Sequence, residues 1–244
     1  ADIGLNPLMP TMMQPMQHTP TLRTCWTWTL ALGLAIVAWD ASGLDLPIAQ
    51  WFGTPEGFSL RDNFWLSAVL HEGARKAGWM VLLALAVVLW RPVGPFGGLH
   101  RLSRGERWGL WLSIVAAILA VSLIKGMSHT SCPWDLQAFG GTLPLVSHWD
   151  FGLRDGGGGH CFPAGHASTG FAFMAGGFWL WPHQRNAARY WWTLSGLSGL
   201  VLGLVQQARG AHFTSHTLWT AWICWSVGLL CFSLYQRLSS RGKS

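Results

Sequence analysis

Charged side chains are scarce in this sequence. They make up 11% of its 244 residues, against about 25% in ordinary soluble domains, so the usual water-facing globular surface is excluded. Tyrosine is nearly missing as well, with two against eighteen tryptophans. That balance suits bulky rings seated at lipid headgroup level. No internal repeat stands out, and one domain fits the length. Zinc-finger and HExxH spacings are both lacking, which removes the common sequence patterns of a zinc site. No charged or broken pair of helices marks a midplane transport site. What the chain has in quantity is apolar residues, 50% of the total.

The apolar residues fall into six runs: Thr24–Ser42, Lys76–Trp90, Trp108–Lys125, Pro163–Trp181, Trp191–Ala208 and Ser215–Tyr235. A span needs roughly 17–25 residues, so the second run is short unless its flanks contribute. The pattern predicts an all-α integral membrane six-helix bundle over residues 22–238. A mobile N-terminal tail (1–21) precedes it and a short C-terminal tail (239–244) follows. With the amino terminus inside, ten of the sixteen basic residues lie on inner segments, from Arg23 to Lys243, but only Asp2 and Glu106 of the ten acids do. This bias predicts both termini in the cytoplasm. The net charge of +6 is then a topology signal, with no call for nucleic acid. Between the first two spans, Phe64, Trp65, Ala68 and Val69 repeat with helical spacing, so Arg61–Glu72 reads as an interfacial helix or an ordinary loop helix.

Charge counting places Gly126–Phe162 and Arg209–Thr214 on one non-cytoplasmic face, and the residues suited to chemistry gather there. Lys125 ends the third span, followed by Cys132-Pro133-Trp134-Asp135. A loop with Arg154 runs into Gly156–Gly159, either a flexible linker or a source of unhindered amide donors. Pro163-Ala164-Gly165-His166 opens the fourth span, where helix-start amides favour an anion. In Arg209-Gly210-Ala211-His212-Phe213-Thr214-Ser215-His216, a helix would set His212 and His216 one turn apart on a shared face. Arg209 would then offer a forked pair of donors.

These residues together resemble the type 2 phosphatidic acid phosphatase family, which shares its core with vanadium-dependent haloperoxidases and carries three motifs, KxxxxxxRP, PSGH and SRxxxxxHxxxD. The likeness covers roughly Lys76–Tyr235. Lys125 and Pro133 match the first motif, Pro163, Gly165 and His166 the second, and His212 the third. Cys132 stands in place of the first motif's Arg, and Ala164 in place of Ser. Val205 and Gln206 replace Ser and Arg, and His216 replaces Asp. Arg209 and Arg154 are the candidate substitute arginines. His216, or an acid such as Asp135, Asp150 or Asp155, is left to orient His212.

The resemblance implies a bacterial inner-membrane enzyme with a periplasmic active site and no metal or cofactor. His212 would be the nucleophile, giving a phosphohistidine, and His166 the acid and base. Lys125, Arg209, Arg154 and amides near Gly165 would bind phosphate. Candidate substrates are membrane phospholipids (phosphatidic acid, phosphatidylglycerol phosphate), polyprenyl phosphate or pyrophosphate, and the phosphates of lipid A. Transfer of phosphate to a second lipid, an inactive phospholipid-binding relative, and a metal site built from the outer histidines and cysteines are the rival readings. Cys132 and Cys161 both lie in the outer loop, where an oxidising periplasm would permit a disulfide.

Overall fold

Among the described residues, six helical rods carry the fold. The computed structural model describes residues 21–90 and 99–241. The first twenty residues, most of the predicted tail, lie outside that range, as do 91–98 and 242–244. Helix α1 (Leu22–Ser42) begins at an N-cap, where the Thr21 hydroxyl accepts from the Thr24 N–H. It ends at Gly43, whose φ of 69° lets its N–H reach back to the Asp40 carbonyl. A short helix α2 (Asp45–Ala49) follows, with a two-stranded hairpin of β1 (Gly53–Thr54) and β2 (Gly57–Phe58) on the same end of the bundle.

The interfacial or loop helix expected at Arg61–Glu72 and the short second span prove to be largely one rod. A π-helical segment, Trp65–Gly73, runs straight into α3 (Ala74–Trp90), making a 26-residue apolar helix. The helical spacing of Phe64, Trp65, Ala68 and Val69 thus continues the face of the next segment and does not start a separate surface helix. Helix α4 (Arg104–Met127) opens with a reciprocal capping box between Ser103 and Glu106. The fourth predicted span starts later than expected. Residues 163–167 are a turn, and helix begins only at Ser168, with α5 (Ser168–Phe171), a 3₁₀ turn (Ala172–Met174) and α6 (Ala175–Leu180) forming an irregular rod. Helices α7 (Arg185–Ala208) and α8 (Thr214–Arg241) complete the bundle. Helix α8 runs past residue 238 into the stretch assigned to the C-terminal tail.

Among the described residues, four helices are long and apolar enough to cross a membrane: Leu22–Ser42, Trp65–Trp90, Arg104–Met127 and Thr214–Arg241. The molecule is therefore an all-α membrane bundle. The remaining rods, α5–α6 and α7, pack against one another and α8. Their backbones close in at Gly170, whose missing Cβ leaves room for the backbone of Gly199; small residues permit such approach where lipid gives helices no hydrophobic drive to associate. The main core holds Leu110, Ile114, Phe178 and Trp179, and the Trp179 indole donates to Ser113 Oγ at 3.1 Å. A second, smaller core (Ala49, Phe58, Leu136, Phe139 and Phe213) sits under the hairpin and fixes the residue directly after His212.

Candidate active site

The residues before α8 form a loop, because Gly210 adopts a φ of 78° and helix starts only at Thr214. Asp45 anchors that start: its carboxylate accepts from the Ser215 N–H at 3.0 Å and from the Ser215 hydroxyl, the favourable place for an anion beside a helix N-terminus. His212 is thereby held in the loop, 3% exposed. Its Nδ1–H donates to the Cys161 carbonyl at 2.7 Å, which assigns the proton to Nδ1 and leaves the Nε2 lone pair free. Burial, then the charges of Lys125 and His166, hold this imidazole well below the usual histidine range. Such a ring stays neutral at pH 7.

His216 follows on the first turn of α8, 1% exposed, with its Nδ1 at 3.5 Å from His212 Nδ1. Its ring meets Phe162 and His148 edge-on. His148 lies flat on Phe162, with centroids 4.0 Å apart, and its Nε2 is 3.2 Å from Asp40 Oδ2, which also accepts from the Trp149 and Trp219 indoles. The partner that orients His212 is thus a backbone carbonyl, with His216 behind it. The three acids weighed for that task are elsewhere. Asp155 holds the Ser131 N–H, the Ser131 hydroxyl and the Gly157 N–H, Asp135 belongs to a 3₁₀ turn (Pro133–Asp135), and Asp150 is exposed.

That carbonyl is itself fixed. Cys161 is bonded to Cys132, with Cα atoms 5.2 Å apart, inside the usual span for a disulfide. The Cys161 N–H donates to the Thr130 carbonyl at 3.0 Å. The Trp134 N–H reaches the Gly210 carbonyl at 3.0 Å, so the segments around Cys132, Cys161 and His212 are tied together.

Lys125, at the end of α4, donates to the His160 carbonyl, and His160 returns its Nδ1–H to the Lys125 carbonyl at 3.0 Å. The aliphatic part of Lys125 lies over Gly165, where an added Cβ would come within 3.2 Å of Cδ. His166 sits in the 163–167 turn, half-buried, and its pKa is pushed down to about 4 by burial first, then by His71 and Lys125. Helix starts only at Ser168, so the amides beside Pro163 belong to the turn: those of Ala167, Ser168 and Thr169 bond within it and that of Ala164 to the His216 carbonyl, while among the described residues those of Gly165 and His166 have no acceptor.

Arg209, 8% exposed, donates through Nε to the Arg61 carbonyl at 2.9 Å and through Nη1 to Gln206 Oε1 at 3.2 Å. Gln206 Nε2 is buried with no partner among the described residues. A buried, unpaired amide donor next to a guanidinium suits an anionic oxygen. Arg154 is exposed in the loop, and the charges acting on His166 and His212 come from other residues. The basic groups around His166 instead include His71 and Arg75, which carried no motif and escaped the sequence reading. No group of three or more His, Cys, Asp or Glu among the described residues is arranged to hold a metal ion.

An apolar cleft of about 630 Å³ between α3 and α7 is lined by Ala74, Gly78, Thr169, Phe173, Ser198 and Val201, among others. Its head end lies close in sequence to His71 and His166. A second cleft, about 250 Å³, lies between α3 and α4 and shares Gly78, Thr169 and Phe173 with the first while reaching Arg75 and Gly165.

Residues 107–240, more than half of the chain, match the family model of the PAP2 superfamily. No curated protein and no solved structure matches. The matched stretch includes Lys125, His166 and His212 and stops short of His71.

Proposed function

Starting from the premise that this chain belongs to the PAP2 superfamily and is a phosphatase-type membrane enzyme, we propose that it removes phosphate from a lipid phosphate or pyrophosphate at the periplasmic face of a bacterial inner membrane. One observation carries the reading. His212 is buried and neutral, with its Nδ1 proton committed to the Cys161 carbonyl, so Nε2 is the ring's reactive atom.

In the first step the Nε2 lone pair attacks phosphorus in line. An N–P bond forms as the P–O bond to the lipid breaks, and His166 gives its proton to the departing oxygen. Lys125, Arg209 and the unpaired Gln206 amide offset charge on the equatorial oxygens. Water then attacks the phosphohistidine, losing a proton to His166, and inorganic phosphate leaves. A dianionic phosphoryl group beside His166 counters the burial and positive charge that depress its pKa, since an opposite charge favours the protonated ring.

The α3–α7 cleft supports a lipid substrate, because an apolar groove of this size accommodates part of a hydrocarbon tail. The excess of basic residues on the opposite side of the bundle supports the orientation. The second cleft favours one further reading, in which another lipid approaches the same phosphoryl group and takes it in place of water.

Phosphate release from phosphatidic acid, phosphatidylglycerol phosphate, a polyprenyl pyrophosphate and lipid A tests the proposal, using right-side-out vesicles. Phosphate should appear in the external medium with at least one lipid. The His212→Ala variant should lose more than about 1,000-fold in rate. Turnover retained by that variant, or phosphate appearing only inside, sinks the assignment; phosphorylated lipid without free phosphate selects the transfer reaction.

A further inference from the structure

We propose that His71 is a positioning residue for His166, holding the ring of the proton donor by stacking from outside the family's motifs. The chemistry assumed here rests on the phosphatase reading; the geometry does not.

The ring centroids of His71 and His166 lie 3.7 Å apart, with planes inclined at 33°. Among the described residues no hydrogen bond holds the His166 imidazole, which projects from a turn, so this stack is what fixes its plane. His71 is itself well held. Its Nδ1 is 3.3 Å from Glu72 Oε1, and Glu72 Oε2 accepts from Arg75 at 2.8 Å. A proton on Nδ1 directed at the carboxylate leaves Nε2 at the free edge of the ring. The ring comes from the π-helical segment Trp65–Gly73, which closes where the Ala74 N–H meets the His71 carbonyl. Such widened turns recur at functional sites, where they shift side chains off the positions an α-helix would give them.

The charges around the pair come from every neighbouring rod. His166 faces His71, Glu72 and Arg75 from the first half of the α3 rod, Lys125 from α4 and His212 from the loop before α8. His71 faces, in addition, Arg209 at the end of α7. Two imidazoles this close resist holding two protons at once. A pair that holds one suits a residue that must give up a proton in the first half-reaction and accept one in the second. The charge of Arg209 acts on His71 and that of Lys125 on His166, in a chain whose first motif has Cys132 where an arginine is expected.

The test compares His71→Ala and His71→Phe in the full chain in detergent micelles. It reads phosphate-release kinetics across pH and the imidazole ¹⁵N resonances of His166. His71→Ala should lower kcat by more than about 10-fold with KM nearly unchanged, because the acid is misplaced and binding is not. It should also move the basic limb of the profile upward, since a charge opposing the His166 proton is gone. His71→Phe should restore most of kcat, because a flat ring remains, without restoring the wild-type pH profile. A His71→Ala enzyme with wild-type kcat, pH profile and His166 resonances overturns the inference and leaves the phosphatase reading intact. A wild-type protein that releases no phosphate, yet whose His166 resonances shift in His71→Ala, breaks the phosphatase reading and leaves the pairing standing.

Discussion

At the scale of single residues, the protonation states of His166 and His212 set the behaviour of the site. The reaction proposed above needs His212 neutral and His166 protonated. Burial secures the first condition and works against the second, because the His166 pKa is pushed down to about 4 by burial, His71 and Lys125. A proton is lost from His166 as pH rises through that value, so kcat/KM, which reports the free enzyme, should decline from the acid side toward neutrality. The limb in kcat should lie at higher pH, because a bound phosphoryl dianion favours the protonated ring. Rates measured from about pH 4 to about pH 9 check this; a kcat/KM limb near or above neutrality removes His166 as the acid. Folding responds with the opposite preference. Both rings have folded values below the unfolded one, so the folded chain binds fewer protons, and stability present above pH 6.5 is lost as pH falls below it. Much of this site was legible in the sequence, because Lys125, His166 and His212 stand at recognisable spacings. The group that orients His212 was not, since a backbone carbonyl leaves no mark in a side-chain pattern. Nor was His71, which lies far upstream at no fixed spacing, and Arg154 was singled out by proximity along a loop that carries it outward.

Among the elements, the segment from Ser128 to Ala167 is the one on which the site depends, and it has almost no regular structure of its own. Its shape is held by the Cys132–Cys161 bond, by the Asp155 carboxylate under Ser131 and by the Trp134 N–H on Gly210. Opening the disulfide releases a link between residues 29 apart in sequence, a constraint worth about 2–4 kcal/mol through the unfolded state. It also loosens the carbonyl that holds His212 Nδ1. Cys132→Ser with Cys161→Ser should therefore lower the thermal midpoint and cut kcat by about 10-fold or more, and reductant should do the same to the wild type. A double variant with unchanged kcat would show that the remaining loop bonds hold Cys161 without the bridge. The pairing was visible as two cysteines in the connection after α4, although only folding brings their Cα atoms together. Helix ends were harder to read. Apolar runs locate rods, but Pro163 suggested a helix start where the chain makes a turn, and the break before Lys76 concealed a single rod beginning at Trp65. The π-helical geometry that joins its two halves has no simple period to betray it.

For the molecule as a whole, charge scarcity and apolar runs sufficed to indicate a membrane bundle, because bilayer thickness and backbone hydrogen bonding leave few alternatives. They overstated the number of rods that are strongly apolar. Helix α7 carries Arg185 and Arg189 at one end and the buried Gln206 and Gln207 at the other, where it serves the site as much as the lipid. The cleft between α3 and α7 follows from this division of labour: α7 leans on α5 at Gly199, and the α3 side is left with a groove open along its length. If the substrate tail lies there, filling the groove should penalise long-chain lipids and spare small esters, since the phosphoryl site is untouched. Ser198 is exposed on the groove wall, and Ser198→Trp should lower kcat/KM for a long-chain lipid phosphate by about 10-fold, because tail binding no longer contributes in the transition state. Hydrolysis of a soluble aryl phosphate by the same variant should stay within about 2-fold of wild type. Equal losses on both substrates would mean that the substitution disturbs the bundle, and equal retention would place the tail outside this cleft.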